Sequence, residues 1–321
     1  MLYVQIIFWI IVGFLLLMYG GNLLVDGSVA VAKKMRVSSL LIGLTLVGFG
    51  TSTPELMTSL SAVFQGNPGI GIGNVVGSNI ANILLVLGVA AFLNPVIVSK
   101  KELKRDGLFL AISTLVLMAA LWWGRIGRLA GLGMCGLLAY YVWYCYQTEK
   151  KGAAASEKSV GLKTNFTHYE QKELLMSTLK TIAGIVLTIC GAYILVDNAV
   201  RLAHQLGVSP TIIGLTVVAI GTSLPELATS IVSSIKKQSA LAYGNVVGSN
   251  IYNALFILGA TAILRPVPVP TAKDSVSIDT LIMAIVTALL LGFGYRGKFS
   301  RTTGIVFLAL YVVYVGYLYV R

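Results

Sequence analysis

Apolar residues in this chain come in long, nearly unbroken runs, unlike the one-sided stripes of helices that pack on a soluble core. Ile6 to Met18, Leu108 to Leu121, Leu281 to Phe293 and Ile305 to Tyr319 are examples. With their flanks, such runs approach the roughly 20 residues that match a ~30 Å hydrocarbon layer. Charges and turn residues divide the chain into ten expected spans, at 3–30, 38–64, 70–94, 106–123, 129–147, 175–203, 209–235, 241–264, 276–295 and 303–320. The polar stretch 148–172 reads as a linker, too short for a regulatory domain. The pattern predicts an all-α polytopic membrane protein.

The spans repeat. An offset of 171 maps Gly20 onto Gly191, Asp26 onto Asp197, Gly43 onto Gly214, Glu55 onto Glu226, Ser78 onto Ser249 and Asn82 onto Asn253. Between 37–88 and 208–259 no gap is needed, and roughly half the positions are identical. The expected organisation is a first five-helix repeat (1–147), a cytoplasmic linker (148–172) and a second five-helix repeat (173–321). Five is an odd number, so the second copy must enter the membrane from the opposite side, giving two inverted-topology repeats.

Composition changes this picture little and charge sharpens it. The chain is 56% hydrophobic and 11% charged, far below the ~25% charged residues of a soluble domain. The net charge of +12 would suggest nucleic acid only if it clustered on a soluble domain. Here 18 of the 24 lysines and arginines fall in connections on one side of the ten-span scheme. By the positive-inside rule that side is cytoplasmic and both termini lie outside. Ala30-Val31-Ala32 resembles a cleavage site, but no cation precedes the first apolar run and the pattern recurs near 181–203. A retained first helix is therefore expected. Cys135, Cys145 and Cys190 are odd in number and lack metal-ligand spacing.

Polar residues inside the apolar runs carry the chemistry. The second span reads IGLTLVGFGTSTPELMTSL. Pro54 has no N–H and clashes with the carbonyl at Gly50, so the helix should kink or unwind around Gly48 to Thr51. Freed carbonyls are not tolerated against lipid, and the turn must line a cavity or pack inside protein. Thr51 and Glu55 share one face, continued by Thr58 and Ser59. The copy repeats this with Gly221, Thr222, Ser223, Pro225, Glu226, Thr229 and Ser230. In the third span Asn74, Ser78 and Asn82 form a stripe, repeated as Asn245, Ser249 and Asn253. A carboxylate at mid-membrane costs about 2.5–3.5 kcal/mol on insertion scales, and two are kept at one offset. All these donors are hard oxygens with no histidine or cysteine among them. That set disfavours zinc, copper or iron and suits calcium, or sodium at several subsites. Asp26 and Asp197, near helix ends, read as structural partners for nearby cations. GIGIGN at 69–74 follows no strand and its copy is ALAYGN, so a nucleotide loop is rejected.

GTSTPEL with GNVVGSNIAN, repeated as GTSLPEL with GNVVGSNIYN, resembles the two alpha-repeats of the cation/calcium exchanger superfamily, and the chain is most similar to prokaryotic sodium/calcium exchangers. The resemblance covers essentially all ten spans. It implies four central cation sites arranged as a diamond, and two gate helices, the first span of each half, that slide across a rigid core. It also implies a calcium site of Glu55 and Glu226 with the backbone oxygens of Thr51 and Thr222. One sodium site would use the Gly48 carbonyl, Ser52, Glu55 and Ser249. The other would use the Ala219 carbonyl, Ser223, Glu226 and Ser78, with Asn82 and Asn253 completing the middle site.

The expected function is sodium-driven calcium antiport by alternating access, in the inner membrane of a prokaryotic cell. The expected partners are calcium, sodium and the bilayer, without nucleic acid or a cofactor, and the expected unit is a monomer. Proton-coupled members tend to carry GNxxE where this chain has GTSxPE, which favours sodium as counter-ion. Asparagine at 253, where some potassium-dependent members carry aspartate, argues against potassium dependence. The alternatives are a calcium/proton antiporter using the same glutamates and a cation channel. An intramembrane hydrolase is disfavoured because no buried serine has an adjacent histidine, lysine or second carboxylate partner, and no enzyme is expected.

Overall fold

The computed structural model describes residues 2–35, 37–160, 168–206, 219–269 and 276–320. The first half opens with α1 (Leu2–Met35). A broken span follows: α2 (Ser39–Ile42), a π-helical turn (Gly43–Val47), α3 (Gly48–Thr51) and α4 (Thr53–Phe64). Helix α5 (Pro68–Ala81) continues through a second π-helical turn (Asn82–Val86) into α6 (Leu87–Leu93). Then come β1 (Val96–Ile97), α7 (Lys100–Trp122), β2 (Arg125–Ile126) and α8 (Arg128–Val160). The second half comprises α9 (His168–Gln205), α10 (Ala219–Gly221), α11 (Leu224–Ile235) and α12 (Ser239–Tyr252). A π-helical turn (Asn253–Ile257), α13 (Leu258–Leu264), β3 (Val267–Pro268), α14 (Val276–Gly294), β4 (Lys298–Phe299) and α15 (Arg301–Val320) complete it.

Among the described residues seven helices are long and apolar enough to cross a membrane, and the broken span from Ser39 to Phe64 makes an eighth. Leu224–Ile235 and Ile278–Gly294 are shorter apolar helices, lying in the expected spans 209–235 and 276–295. Residues 207–218, which include Gly214 and the start of one expected span, lie outside the described residues. Helix α8 carries on to Val160, so the first part of the expected linker is helical. Its Gly-Ala-Ala-Ala-Ser-Glu-Lys stretch is rich in helix-favouring residues, which explains the extension.

The kink expected at Pro54 is present. The span bends by 43° at the break between Thr51 and Thr53, where Ser52 leaves helical geometry at φ −82°, ψ 8°. Pro54 sits in the first turn of α4, where its missing N–H would be unpaired in any case. The start of the span is fixed by Ser38, whose side chain accepts the Leu41 N–H at 3.1 Å. The copy breaks at the same place, with Ser223 at φ −89°, ψ 7° before α11 and Pro225 in its first turn.

The two halves correspond element by element. The offset is 171 for α4 and α11, α5 and α12, α6 and α13, and β1 and β3, and it becomes 173 for β2 and β4 and for the starts of α8 and α15. They are joined reciprocally: β1 pairs antiparallel with β4 and β2 with β3. Equivalent residues also meet each other. The Asn250 side chain donates to the Asn79 carbonyl at 3.2 Å, and the hydroxyls of Thr114 and Thr287 approach to 3.5 Å. Such self-pairing of equivalents marks a two-fold relation between the halves.

Helices α5–α6 and α12–α13 occupy the centre. Residues Leu241 to Asn253 are buried without interruption, because α12 packs closely on the first half's broken span. A Cβ at Gly244 would lie 2.7 Å from the Leu40 carbonyl oxygen, and one at Gly248 would lie 2.6 Å from that of Leu44. The outer pair, α1 and α9, cross in antiparallel register. Cβ atoms at Gly13, Gly20 and Gly27 would collide with the backbone at Leu195, Thr188 and Thr181 in turn. Small residues allow this approach where lipid leaves no hydrophobic drive between helices. Asp26 pairs with Lys236 at 2.7 Å and Asp197 with Arg201 at 3.0 Å, the structural roles expected of them.

A Cβ on Gly20 would stand 2.6 Å from the Thr188 nitrogen, so Gly20→Val must push α1 and α9 apart. Overpacking of this kind costs about 1–3 kcal/mol. The thermal unfolding midpoint of the detergent-purified variant should fall by several degrees, while Gly136→Ala, at a glycine with nothing nearby among the described residues, should melt like the parent. An unchanged Gly20→Val midpoint would exclude this packing.

Candidate functional site

Both helix breaks point the same chemistry at the centre. Glu55 and Glu226 each occupy the first turn of a helix that begins just after the break. The positive end of the helix dipole there favours a carboxylate. Both side chains are fully buried, at 0% exposure. A charge so placed needs hydrogen-bond partners or a counter-ion.

The partners come from the opposite half. The Ser52 hydroxyl donates to Glu226 Oε1 at 3.0 Å, and the Ser223 hydroxyl donates to Glu55 Oε1 at 3.2 Å. The Ser249 hydroxyl lies 3.4 Å from Glu226 Oε1 and 3.4 Å from the Gly48 carbonyl oxygen. Ser78, its counterpart, turns its hydroxyl toward Glu55. These bonds group the donors differently from the sets implied by the resemblance: Ser52 and Ser249 bond Glu226, while Ser223 and Ser78 go with Glu55. In each case the hydroxyl of one helix break meets the carboxylate of the facing one.

Asn74 and Asn245 hold this geometry. The Asn74 amide donates to the Glu55 carbonyl at 3.2 Å and to Ser59 Oγ at 2.9 Å. The Asn245 amide donates to the Glu226 carbonyl at 3.1 Å and to Ser230 Oγ at 3.0 Å. With both amide protons engaged, each side-chain oxygen turns across the interface. Asn245 Oδ1 is 3.2 Å from the Thr51 hydroxyl, and Asn74 Oδ1 is 3.4 Å from that of Thr222. The spacing placed these asparagines on the polar stripe, and the structure makes them positioning residues for the glutamate-bearing helices.

The remaining polar atoms of the site are unsatisfied among the described residues. Among the described residues Glu55 Oε2 and Glu226 Oε2 lack any hydrogen-bond partner, as do both polar atoms of Asn82 and of Asn253. Asn82 and Asn253 are fully buried and each opens a π-helical turn, a distortion common at functional sites. Gly48 begins α3 and is buried. Ala219 begins α10. An unsatisfied buried polar group costs about 1–3 kcal/mol, more when charged. Leaving two carboxylate oxygens and two amides in that condition is unfavourable unless a ligand completes them. Among the described residues no three His, Cys, Asp or Glu side chains cluster. Two carboxylates with neutral oxygens remain, which match calcium and sodium and not thiophilic metals.

A further carboxylate escaped the pattern reading. Asp106 on α7 is fully buried and is bound by Arg105 at 2.7 and 3.1 Å and by the Tyr141 hydroxyl at 3.2 Å. Arg105 also reaches Glu149 at 3.3 Å, whose other oxygen accepts the Ser38 N–H at 3.2 Å. The network ties α7 and α8 to the start of the broken span. Its signal in the sequence is the offset of 173, which maps Asp106 onto Asp279 and Tyr141 onto Tyr314.

Known proteins share both the fold and the sequence. A family model described as sodium/calcium exchanger protein matches residues 5–147 and 176–320. The sodium/calcium exchanger MaX1 of Methanosarcina acetivorans is 32% identical, over 95% of this chain and 96% of its own. The inner membrane protein YrbG of Escherichia coli is 31% identical, over 97% of this chain and 95% of its own. Solved structures of the sodium-calcium exchanger NCX_Mj superpose with a TM-score of 0.84 at 30% identity, covering 98% of this chain and 99% of theirs. The match of nearly the whole chain, in both halves, makes this protein a member of the sodium/calcium exchanger family.

Proposed function

We propose that this chain is a sodium-driven calcium antiporter of the cell membrane, working as a monomer with both termini outside. The observation that carries the reading is the pair of buried glutamates, each with one oxygen bonded by the opposite half and one without a partner among the described residues. Calcium takes Glu55 and Glu226 with the Thr51 and Thr222 carbonyls, and both charges are neutralised. Sodium ions take the flanking oxygens of Gly48, Ser52 and Ser249 and of Ala219, Ser223 and Ser78, with Asn82 and Asn253 closing the middle position. Because the same carboxylates serve both ions, full occupancy by one excludes the other. That competition is the minimum an exchanger needs.

The reading includes ten spans in two inverted five-helix repeats. Two features support the inversion. The first helices of the halves, α1 and α9, pack antiparallel, as Gly13 lies against Leu195 and Gly27 against Thr181. The strand pairs support it independently. In an inverted arrangement β1, after the third span, lies on the same side as β4, between the ninth and tenth. In a parallel arrangement they would face opposite sides and could not pair as they do.

Sodium-loaded proteoliposomes should take up radiocalcium against a sodium-free bath and lose uptake when the sodium gradient collapses. Glu55→Gln and Glu226→Gln should each reduce it by on the order of 10²-fold or more, since the divalent ion loses one of its two neutralising charges and a pair of unit charges ~4 Å apart attracts by about 4 kcal/mol at an effective dielectric of ~20. Either variant exchanging at the parental rate would remove that glutamate from the site.

The counter-ion is tested separately. With sodium absent on both sides, an imposed pH gradient of either sign should drive no calcium uptake. Uptake equal to that driven by sodium would replace the sodium assignment with proton coupling at the same glutamates.

A further inference from the structure

The broken span that carries Gly48, Thr51 and Ser52 begins with half of a capping box. Ser38 is the N-cap of α2, and its hydroxyl accepts the Leu41 N–H at 3.1 Å. In a complete box an acid at the third helical position reaches back to the N–H of the N-cap. Helix α7 has one: the Glu102 carboxylate accepts the Ser99 N–H at 3.1 Å, and the Ser99 hydroxyl accepts the Glu102 N–H at 3.2 Å. In α2 the third position is Leu41, which offers no acceptor. The acid comes from another helix. Glu149 of α8 accepts the Ser38 N–H at 3.2 Å.

Glu149 is itself held in place. Its other oxygen accepts from Arg105 at 3.3 Å, and Arg105 is fixed by buried Asp106 at 2.7 and 3.1 Å. The Arg105 and Glu149 side chains are 9% and 19% exposed, so solvent screens the pair little. From Ser39 to Thr51 the backbone runs through α2, the π-helical turn and α3 without leaving helical structure. Gly48 thus lies about 15 Å of helix from the cap. The far end is held by the Ser52 hydroxyl on Glu226 Oε1 at 3.0 Å. Between these two anchors the span rests on α12 by its backbone. A Cβ at Gly43 would come within 2.9 Å of the Leu241 carbonyl oxygen, and one at Gly48 within 3.1 Å of the Ser249 nitrogen. The Gly48 carbonyl oxygen stands 3.4 Å from Ser249 Oγ. A shift of the inner end therefore moves Gly48 against Ser249, and ligand sites need placement within about 0.5 Å.

We propose that Glu149 is a positioning residue for the sodium site of Gly48, Ser52 and Ser249: it completes the capping box of the broken span from α8 and so fixes the Gly48 carbonyl against Ser249. Arg105 and Asp106 orient Glu149, and none of the three touches the ion. The inference rests on the exchange reading and assigns the effect to one of the two ions. Calcium draws most of its attraction from two carboxylates whose helices begin beyond the breaks and are gripped by Asn74 and Asn245. Sodium at the flanking position depends on oxygens of the span that Glu149 anchors.

Two modes of isotope flux in one proteoliposome preparation separate the ions: calcium–calcium exchange in sodium-free buffer, and sodium-driven calcium uptake. In Glu149→Ala the half-saturating sodium concentration should rise about 3–10-fold, the equivalent of one hydrogen bond, while calcium–calcium exchange keeps the parental rate. Glu149→Gln retains a carbonyl oxygen for the Ser38 N–H and should restore the parental sodium dependence. Glu149→Asp, with its acceptor withdrawn by one methylene, should fall between the alanine variant and the parent. A parental sodium half-saturation in Glu149→Ala, or in Glu149→Asp where the alanine variant does not fold, overturns the proposal. So does a parallel loss of both modes, as expected of a carboxylate that serves only the fold. Glu149→Gln as weak as Glu149→Ala overturns the capping role. A parent without sodium-driven uptake would overturn the exchange reading, whereas a parent that exchanges beside variants of unaltered sodium dependence overturns this inference alone.

Discussion

Everything in this fold is arranged around two carboxylates that neither half can satisfy alone. Glu55 and Glu226 are buried completely, and each takes its hydroxyl partner from the other copy. A lone ionised carboxylate at this depth would favour protonation or exclusion from the membrane. Bringing the two breaks face to face supplies hydroxyls, carbonyls and helix N-termini. It also brings two negative charges together, and that repulsion is relieved by a bound cation or by protonation. The central position of α5 and α12 follows from the same need, since Asn74 and Asn245 must grip the backbone at both glutamates.

The halves do not make this contact as detached units. Span two of the first half lies on α12 of the second, close enough that a Cβ at Gly43 would come within 2.9 Å of the Leu241 carbonyl oxygen. Equivalents meet on the two-fold relation at Asn79 and Asn250 and at Thr114 and Thr287, and the short ladders at the rim are likewise made between halves. Interlocking of this kind fixes the two copies against each other along their length, so the site is built on packed helices and not on loops.

The repeat, the helix breaks and the carboxylates were legible in the sequence for a physical reason. Pro54 and Pro225 act through backbone chemistry that needs no tertiary context, and a glutamate in an apolar run is conspicuous because it is costly. The crossing of Ser52 to Glu226 was not legible, since hydrogen-bond partners between two repeats depend on how far the breaks overlap in space. Nor were the π-helical turns at Asn82 and Asn253, which arise where packing inserts one extra residue per turn without a sequence marker. Asp106 and Asp279 were missed for a simpler reason. The offset changes from 171 to 173 between β1 and β2, so the repeat that exposed the glutamates put these aspartates out of register.

A two-fold repeat cannot be symmetric with its site open if it is to work as an exchanger, because equal open passages would join the two sides of the membrane. The departures from two-fold symmetry are therefore as informative as the symmetry. Gly73 and Gly77 border a cavity of about 400 Å³, while their equivalents Gly244 and Gly248 lie against the backbone of the first half's broken span. On that side the broken span is seated on a glycine-bearing helix, backbone against backbone. The Arg105 network with Glu149 and Ser38 anchors the start of that span on the same side. Antiparallel small-residue packing between α1 and α9 seats Leu195, Thr188 and Thr181 in the notches at Gly13, Gly20 and Gly27. The carboxylates sit on the buried centre, between one side that is packed and one that carries a cavity.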